Sequence, residues 1–175
     1  MNDTDHFSLF GLPERFAIDV AALEAAYRTV QAQVHPDRFA AAGPAERRVA
    51  MEWAARANEA VRVLRSPLRR AAYLCERHGA AIDSESNTAM PVDFLAAQMT
   101  WREALGEARA ADDSGALAHL EQEVGAERER VIGELAHLID GAGDSAAAAQ
   151  AVRRLMFVEK FRDEVDLAAA AREAG

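Results

Sequence analysis

Val20, Leu23, Tyr27, Val30 and Val34 recur every three or four positions, and the pattern stops at Pro36. That spacing follows the 3.6-residue period of an α-helix and gathers the five side chains into one apolar stripe. Asp19 stands where an N-cap is needed, with Ile18 and Leu23 placed to close a hydrophobic staple around it. Pro36 ends the helix, because the residue before a proline is pushed out of the α region. A second stripe (Val49, Trp53, Ala57, Ala60, Val61 and Leu64) begins after Pro44, where a missing N–H does no harm at a helix start. Two antiparallel helices joined by a loop containing "HPD" are therefore expected. Ahead of them, Phe7, Leu9, Phe10 and Leu12 predict a short turn packed against the pair.

Ser66–Pro67 interrupts the chain, and a further short helix over 68–78 is expected to stop at Gly79. The small polar run "AAIDSESNTAM" at 80–90 marks a boundary between residues 1–80 and 81–175. Beyond it, three longer helical segments are separated by "DDSG" near 112 and "DGAGDS" near 140. Short connections make neighbouring helices antiparallel, which predicts a three-helix bundle. Composition agrees, since alanine is abundant and glycine, proline and β-branched residues are few. The fold class expected is all-α, an N-terminal helical hairpin plus a C-terminal three-helix bundle.

His35-Pro36-Asp37 lies in the hairpin loop, and the second helix runs into "NEAVRVLRSPLRRAAYL". Pro36 projects its neighbours from the loop, His35 offers two ring nitrogens, and Asp37 suits a bidentate arginine of a partner. Structural capping by Asp37 is the plain alternative. Together with Asn58, Glu59, Ala60, Leu64, Ser66, Pro67, Arg70 and Tyr73, the tripeptide makes residues 6–78 resemble a J-domain. That resemblance implies stimulation of ATP hydrolysis by a DnaK-type chaperone, with His35, Pro36 and Asp37 at the contact and Arg28 and Arg38 beside it. The chain departs from J-domains in one respect. The helix before the tripeptide carries only Arg28 where a basic stripe is usual, with alanines at 25, 26 and 32. Electrostatic steering towards a chaperone is accordingly expected to be weak.

In the first helix after residue 90, Phe94, Ala97, Trp101, Leu105 and Ala108 form the core stripe. Leu95 and Met99 point to one side of it, near Arg102 and Glu103. Ala151, Leu155, Val158 and Val165 line the last helix, and Phe157 falls instead among Arg153, Lys160 and Glu164. Leu95, Met99 and Phe157 can thus form an exposed apolar patch rimmed by charge, or else belong to a broad buried stripe. "HFSLFGLP", "FLAAQMTWREAL" at 94–105 and "VRRLMFVEKF" at 152–161 make the whole chain similar to the HscB family of iron–sulfur co-chaperones. The resemblance implies an HscA-type ATPase chaperone at one end and an IscU-type cluster scaffold at the other. Position by position it assigns Leu95, Ala96, Met99, Glu103 and Phe157 to the scaffold. Ala96 and Thr100 stand where larger or acidic residues are frequent in that family. A J-domain adaptor for some other client is the alternative reading, and a helical hydrolase using His35 and Asp37 a further one. The hydrolase lacks a serine or cysteine nucleophile in or just after the motif.

Residues 1–80 hold 11 basic and 10 acidic side chains, whereas residues 81–175 hold 9 and 19. So acidic a second half argues against a nucleic-acid partner, whose phosphates require a basic face. Cys75 is the single cysteine, so neither an internal disulfide nor a thiolate metal site is available. It sits in an apolar helical context and is expected to be buried and inert. No enzyme activity, cofactor, metal or membrane contact is expected. The polar start "MNDTDHFS" and the absence of a long apolar run lead to an expectation of a cytoplasmic protein, and the resemblance implies a bacterial one, since this sequence has no N-terminal cysteine pair of the kind some eukaryotic members carry.

Overall fold

The computed structural model describes residues 5–34, 36–39, 43–82 and 90–173, apart from the side chains of Pro36, Asp37 and Glu173. Among them there are helices and no strands. A 3-10 turn at Ser8–Phe10 precedes α1 (Val20–Val34), and a second, Pro36–Phe39, leads to α2 (Pro44–Arg65) and α3 (Pro67–Arg77). The second half holds α4 (Val92–Ala110), α5 (Ser114–Ala136) and α6 (Ser145–Glu173), with a π-helical turn at His137–Ala142 between the last two.

Local chemistry sets these limits. The Asp19 carboxylate accepts from the backbone N–H groups of Ala21 and Ala22 at 2.8 and 3.3 Å, capping α1. Ser66 ends α2 and begins α3, its Oγ accepting from Arg69 N at 3.3 Å with Pro67 in the first helical position. Gly79 takes φ 78° just after α3, and Ala80 N donates back to the Cys75 carbonyl at 2.9 Å.

Across the hairpin, the Tyr27 hydroxyl donates to Asn58 Oδ1 at 2.7 Å and Arg65 Nε donates to Glu24 at 2.7 Å. The descending pairing of residue numbers shows that α1 and α2 are antiparallel. Arg128–Glu159 at 2.9 Å and the Arg154–Glu134 pair show the same for α5 and α6. α4 instead runs parallel to α6, since Phe94 meets Phe157, Trp101 stacks on Phe161, and Arg109 reaches the Glu164 carbonyl.

Two apolar cores result. One end of the α5–α6 pair, with Leu117, Leu120, Val124, Val158, Phe161 and Val165, is closed by Phe94, Trp101 and Leu105 of α4. At the other end Val131, Leu135, Val152 and Leu155 pack with Phe7, Phe16, Leu64 and Leu74 of the first 80 residues. Cys75 is buried there, and burial, then Glu76, pushes its thiol up to about 11. The first core therefore spans both sides of position 80.

Polar groups hold the same junction. Asp140, in the π-helical turn, accepts from Phe16 N at 2.6 Å and Ala17 N at 2.8 Å, with Arg15 Nε at 3.6 Å. Buried Arg70 lies over the Phe16 ring at 4.9 Å and donates through Nη1 to the Leu64 carbonyl. Burial pulls its guanidinium below the ordinary range, and the Asp140 charge opposes that pull. Arg70 Nε has no hydrogen-bond partner among the described residues, so burying this group is costly. Replacing Asp140 by alanine takes the acceptor from the part-buried Phe16 N–H, at a cost of about 1–3 kcal/mol. We expect Asp140→Ala to lower the denaturant midpoint while leaving a single unfolding transition for both halves. Two separated transitions by circular dichroism would contradict a shared core.

His6 stacks on Tyr73 with ring centroids 4.4 Å apart, and its backbone N–H donates to the Tyr73 hydroxyl at 3.1 Å. Burial holds the imidazole below its ordinary value of 6.5, with Glu59 and Asp5 opposing and Arg77 and Arg56 assisting. The folded protein thus binds fewer protons here than the unfolded chain. The corresponding stability is complete above pH 6.5 and is lost as pH falls through the folded-state value. Urea midpoints measured from pH 7.5 down to 5 should fall, and His6→Phe should flatten that part of the curve.

Candidate functional site

α1 ends at Val34 and the chain turns through Pro36–Phe39, so the His-Pro-Asp tripeptide lies where the helix breaks. His35 lies outside the described residues, as do the side chains of Pro36 and Asp37. Arg28 is exposed on α1. Arg38 is exposed too, and its Nη1 donates to the Ala32 carbonyl at 3.1 Å, one of the unpaired acceptors at the end of α1. Ala25 and Ala32 are exposed as well, so the outer face of α1 shows a single cationic side chain.

The apolar stripe read from Val49 to Leu64 is only partly covered in the structure. Val49 and Trp53 point the same way as buried Ala57, Ala60 and Leu64, yet they are 47% and 40% exposed. The reason is length: α2 begins beyond the end of α1, and among the described residues no helix covers the first part of its inward stripe. Val34 and Phe39 reach only its border, leaving a groove of about 340 Å³ with Val49, Ala50 and Trp53.

On the bundle, α4 buries Phe94, Trp101, Leu105 and Ala108 and turns Leu95 and Met99 outward, 44% and 65% exposed. Ala96 and Glu103 are exposed on the same side. Phe157 is half-buried rather than free. Its ring meets Phe94 edge-on at 5.7 Å and stacks on Phe161 at 6.1 Å, and the Arg102 guanidinium lies over it at 5.7 Å. Leu95 and Arg102 are two turns apart on one side of α4, so Phe157 borders the Leu95 side of the exposed stripe. Val92 extends that stripe by a turn and is 81% exposed. Sequence reasoning passed over it at the helix start, although its spacing of three and seven from Leu95 and Met99 was the available signal. Exposed Asp93 and Glu103 and the Arg102–Glu164 pair, at 3.9 Å, give this face a charged rim. An apolar centre with a charged edge suits the capture of a protein surface.

Among the described residues no group of three His, Cys, Asp or Glu side chains is placed to hold a metal ion. None of the described helices is long and apolar enough to cross a membrane. Residues 90–166 match the family described as the HSCB C-terminal oligomerisation domain. The co-chaperone protein HscB homolog of Bordetella petrii is 59% identical over 171 residues, 98% of each chain. The chaperone HscB from Vibrio cholerae has a similar structure, with a TM-score of 0.81 and 36% identity over 93% of this chain and 95% of that one. Human co-chaperone HscB gives a TM-score of 0.88 and 25% identity over 95% of this chain and 83% of its own. Similarity of this extent runs through the hairpin, the shared core and the bundle alike, and the chain belongs to the HscB co-chaperone family.

Proposed function

We propose that this protein is a non-enzymatic adaptor in iron–sulfur cluster biogenesis. Its first 80 residues dock an HscA-type or DnaK-type ATPase chaperone through His35, Pro36 and Asp37, with Arg28 and Arg38 at the edge. Residues 81–175 hold an IscU-type scaffold on the face of Leu95, Ala96, Met99 and Glu103, bordered by Phe157. The observation that carries this reading is the outward stripe of Leu95 and Met99 on a helix whose other side is fully packed. A monomeric domain gains nothing by exposing two large apolar side chains in line, whereas a binding face does. Membership of a co-chaperone family supports the hairpin loop as the chaperone contact.

Carrying both surfaces on one chain raises the effective concentration of scaffold at the chaperone, and so couples capture to the partner's ATP hydrolysis. The bound chaperone supplies that chemistry, and nothing in this reading requires a nucleophile or cofactor on the adaptor.

His35→Gln should abolish stimulation of the chaperone ATPase while scaffold binding by calorimetry stays unchanged. Met99→Asp should do the reverse. At a largely exposed position it should move stability by about 0.5 kcal/mol or less, yet weaken scaffold binding at least tenfold. Phe157→Ala is a poorer probe, because the lost ring contacts would destabilise the bundle as well. Equal stimulation by His35→Gln and parent would refute the chaperone contact. Unimpaired scaffold binding by Met99→Asp would move the scaffold off this face, and no scaffold binding at all would point to a different client.

A further inference from the structure

The groove at the open end of the hairpin has no part in the adaptor scheme so far. We infer that it is a second, apolar contact for the ATPase chaperone, receiving a large aliphatic or aromatic side chain beside the His-Pro-Asp turn. This rests on the reading that the turn docks such a chaperone.

The placement of the groove supports the inference first. One border is Val34, the last residue of α1, and another is Phe39, the last of the turn Pro36–Phe39 that holds Pro36 and Asp37. A partner that engages the turn therefore sits beside this opening.

Its chemistry points the same way. Trp53 and Val49 continue the buried stripe of α2, so the sequence prepares them for cover that the described residues of the hairpin do not provide. Tryptophan is prominent among the residues that dominate binding energies, most of all in a pocket that closes on complex formation. Arg56 lies over the Trp53 ring at 5.4 Å, leaving a cationic edge beside an apolar floor.

Charge supplies the remaining argument. With one arginine on its outer face, α1 has little electrostatic attraction to offer. A contact that buries Trp53 and Val49 gives binding energy where charge is missing, and it is insensitive to salt. The volume, about 340 Å³, accommodates a bulky side chain without rearrangement of the helices.

The test titrates the full-length protein into an HscA-type chaperone and follows single-turnover ATP hydrolysis. Parent, Trp53→Ala, Val49→Ser and His35→Gln are compared at low and moderate salt. Both groove positions are substantially exposed, so both variants should melt near the parent temperature and bind scaffold within twofold of parent. The concentration giving half-maximal stimulation should rise about tenfold for Trp53→Ala and several-fold for Val49→Ser, with the plateau rate retained. For the parent, that concentration should change little with salt.

If His35→Gln abolishes stimulation while both groove variants match the parent, the groove inference falls and the docking turn stands. If His35→Gln matches the parent, the docking reading itself fails and takes the groove contact with it. Sedimentation of the same samples covers the other occupant. A parent dimer made monomeric by Trp53→Ala with unaltered stimulation would assign the groove to a second copy of this chain and overturn the proposal.

Discussion

The α5–α6 pair is the constraint on which the rest of the molecule depends. At 29 residues, α6 is about 43 Å long, and it contributes to both apolar cores. α4 covers one end of the pair, and at the other end α3 and the N-terminal segment take the equivalent place. What looks along the chain like a small helical module followed by a bundle is thus a common shaft with two coverings. Asp140 strengthens the junction because its carboxylate is bonded to the backbone of residues more than 120 positions away. Neither end can shift against the other without exposing Leu64, Leu74, Leu135 and Leu155 to water.

This rigidity has a consequence for an adaptor. In the proposed role, the hairpin loop and the outer face of α4 are binding surfaces for different partners. A flexible tether would hold those partners near each other but in many orientations, whereas a packed shaft limits them to one. Removing Asp140 or enlarging the core around Leu155 would then affect coupling between the partners even though neither residue touches them.

Much of the fold was legible in local pattern. Each helix carries a stripe at 3.6-residue spacing, and Asp19, Pro44, Ser66, Pro67 and Gly79 mark ends through backbone chemistry that operates within a few residues. The outward direction of Leu95 and Met99 was legible by the same arithmetic, since a side chain 100° or more off a well-filled stripe has nowhere to be buried. Val49 and Trp53 lie on the apolar stripe that the spacing predicts and yet stay exposed, for an instructive reason. Periodicity reports which way a residue points, and only the length of the neighbouring helix decides whether anything is there to meet it. Phe157 lies between these cases, because its position beside charged residues pointed outward while Phe94 and Phe161 hold one face of its ring.

By itself, then, the sequence determined an all-helical chain, the break at Pro36, the outward stripe on α4 and the family resemblance carried by the hairpin loop and the segments around it. These depend on residue type and on separations of a few positions. Tertiary structure alone decided that one core spans residue 80, that Asp140 closes on Phe16 and Ala17, and that the open end of α2 leaves Trp53 at the surface beside the Pro36–Phe39 turn. Those outcomes depend on which distant segments meet and on how far each helix extends past its neighbour, and no local spacing encodes either.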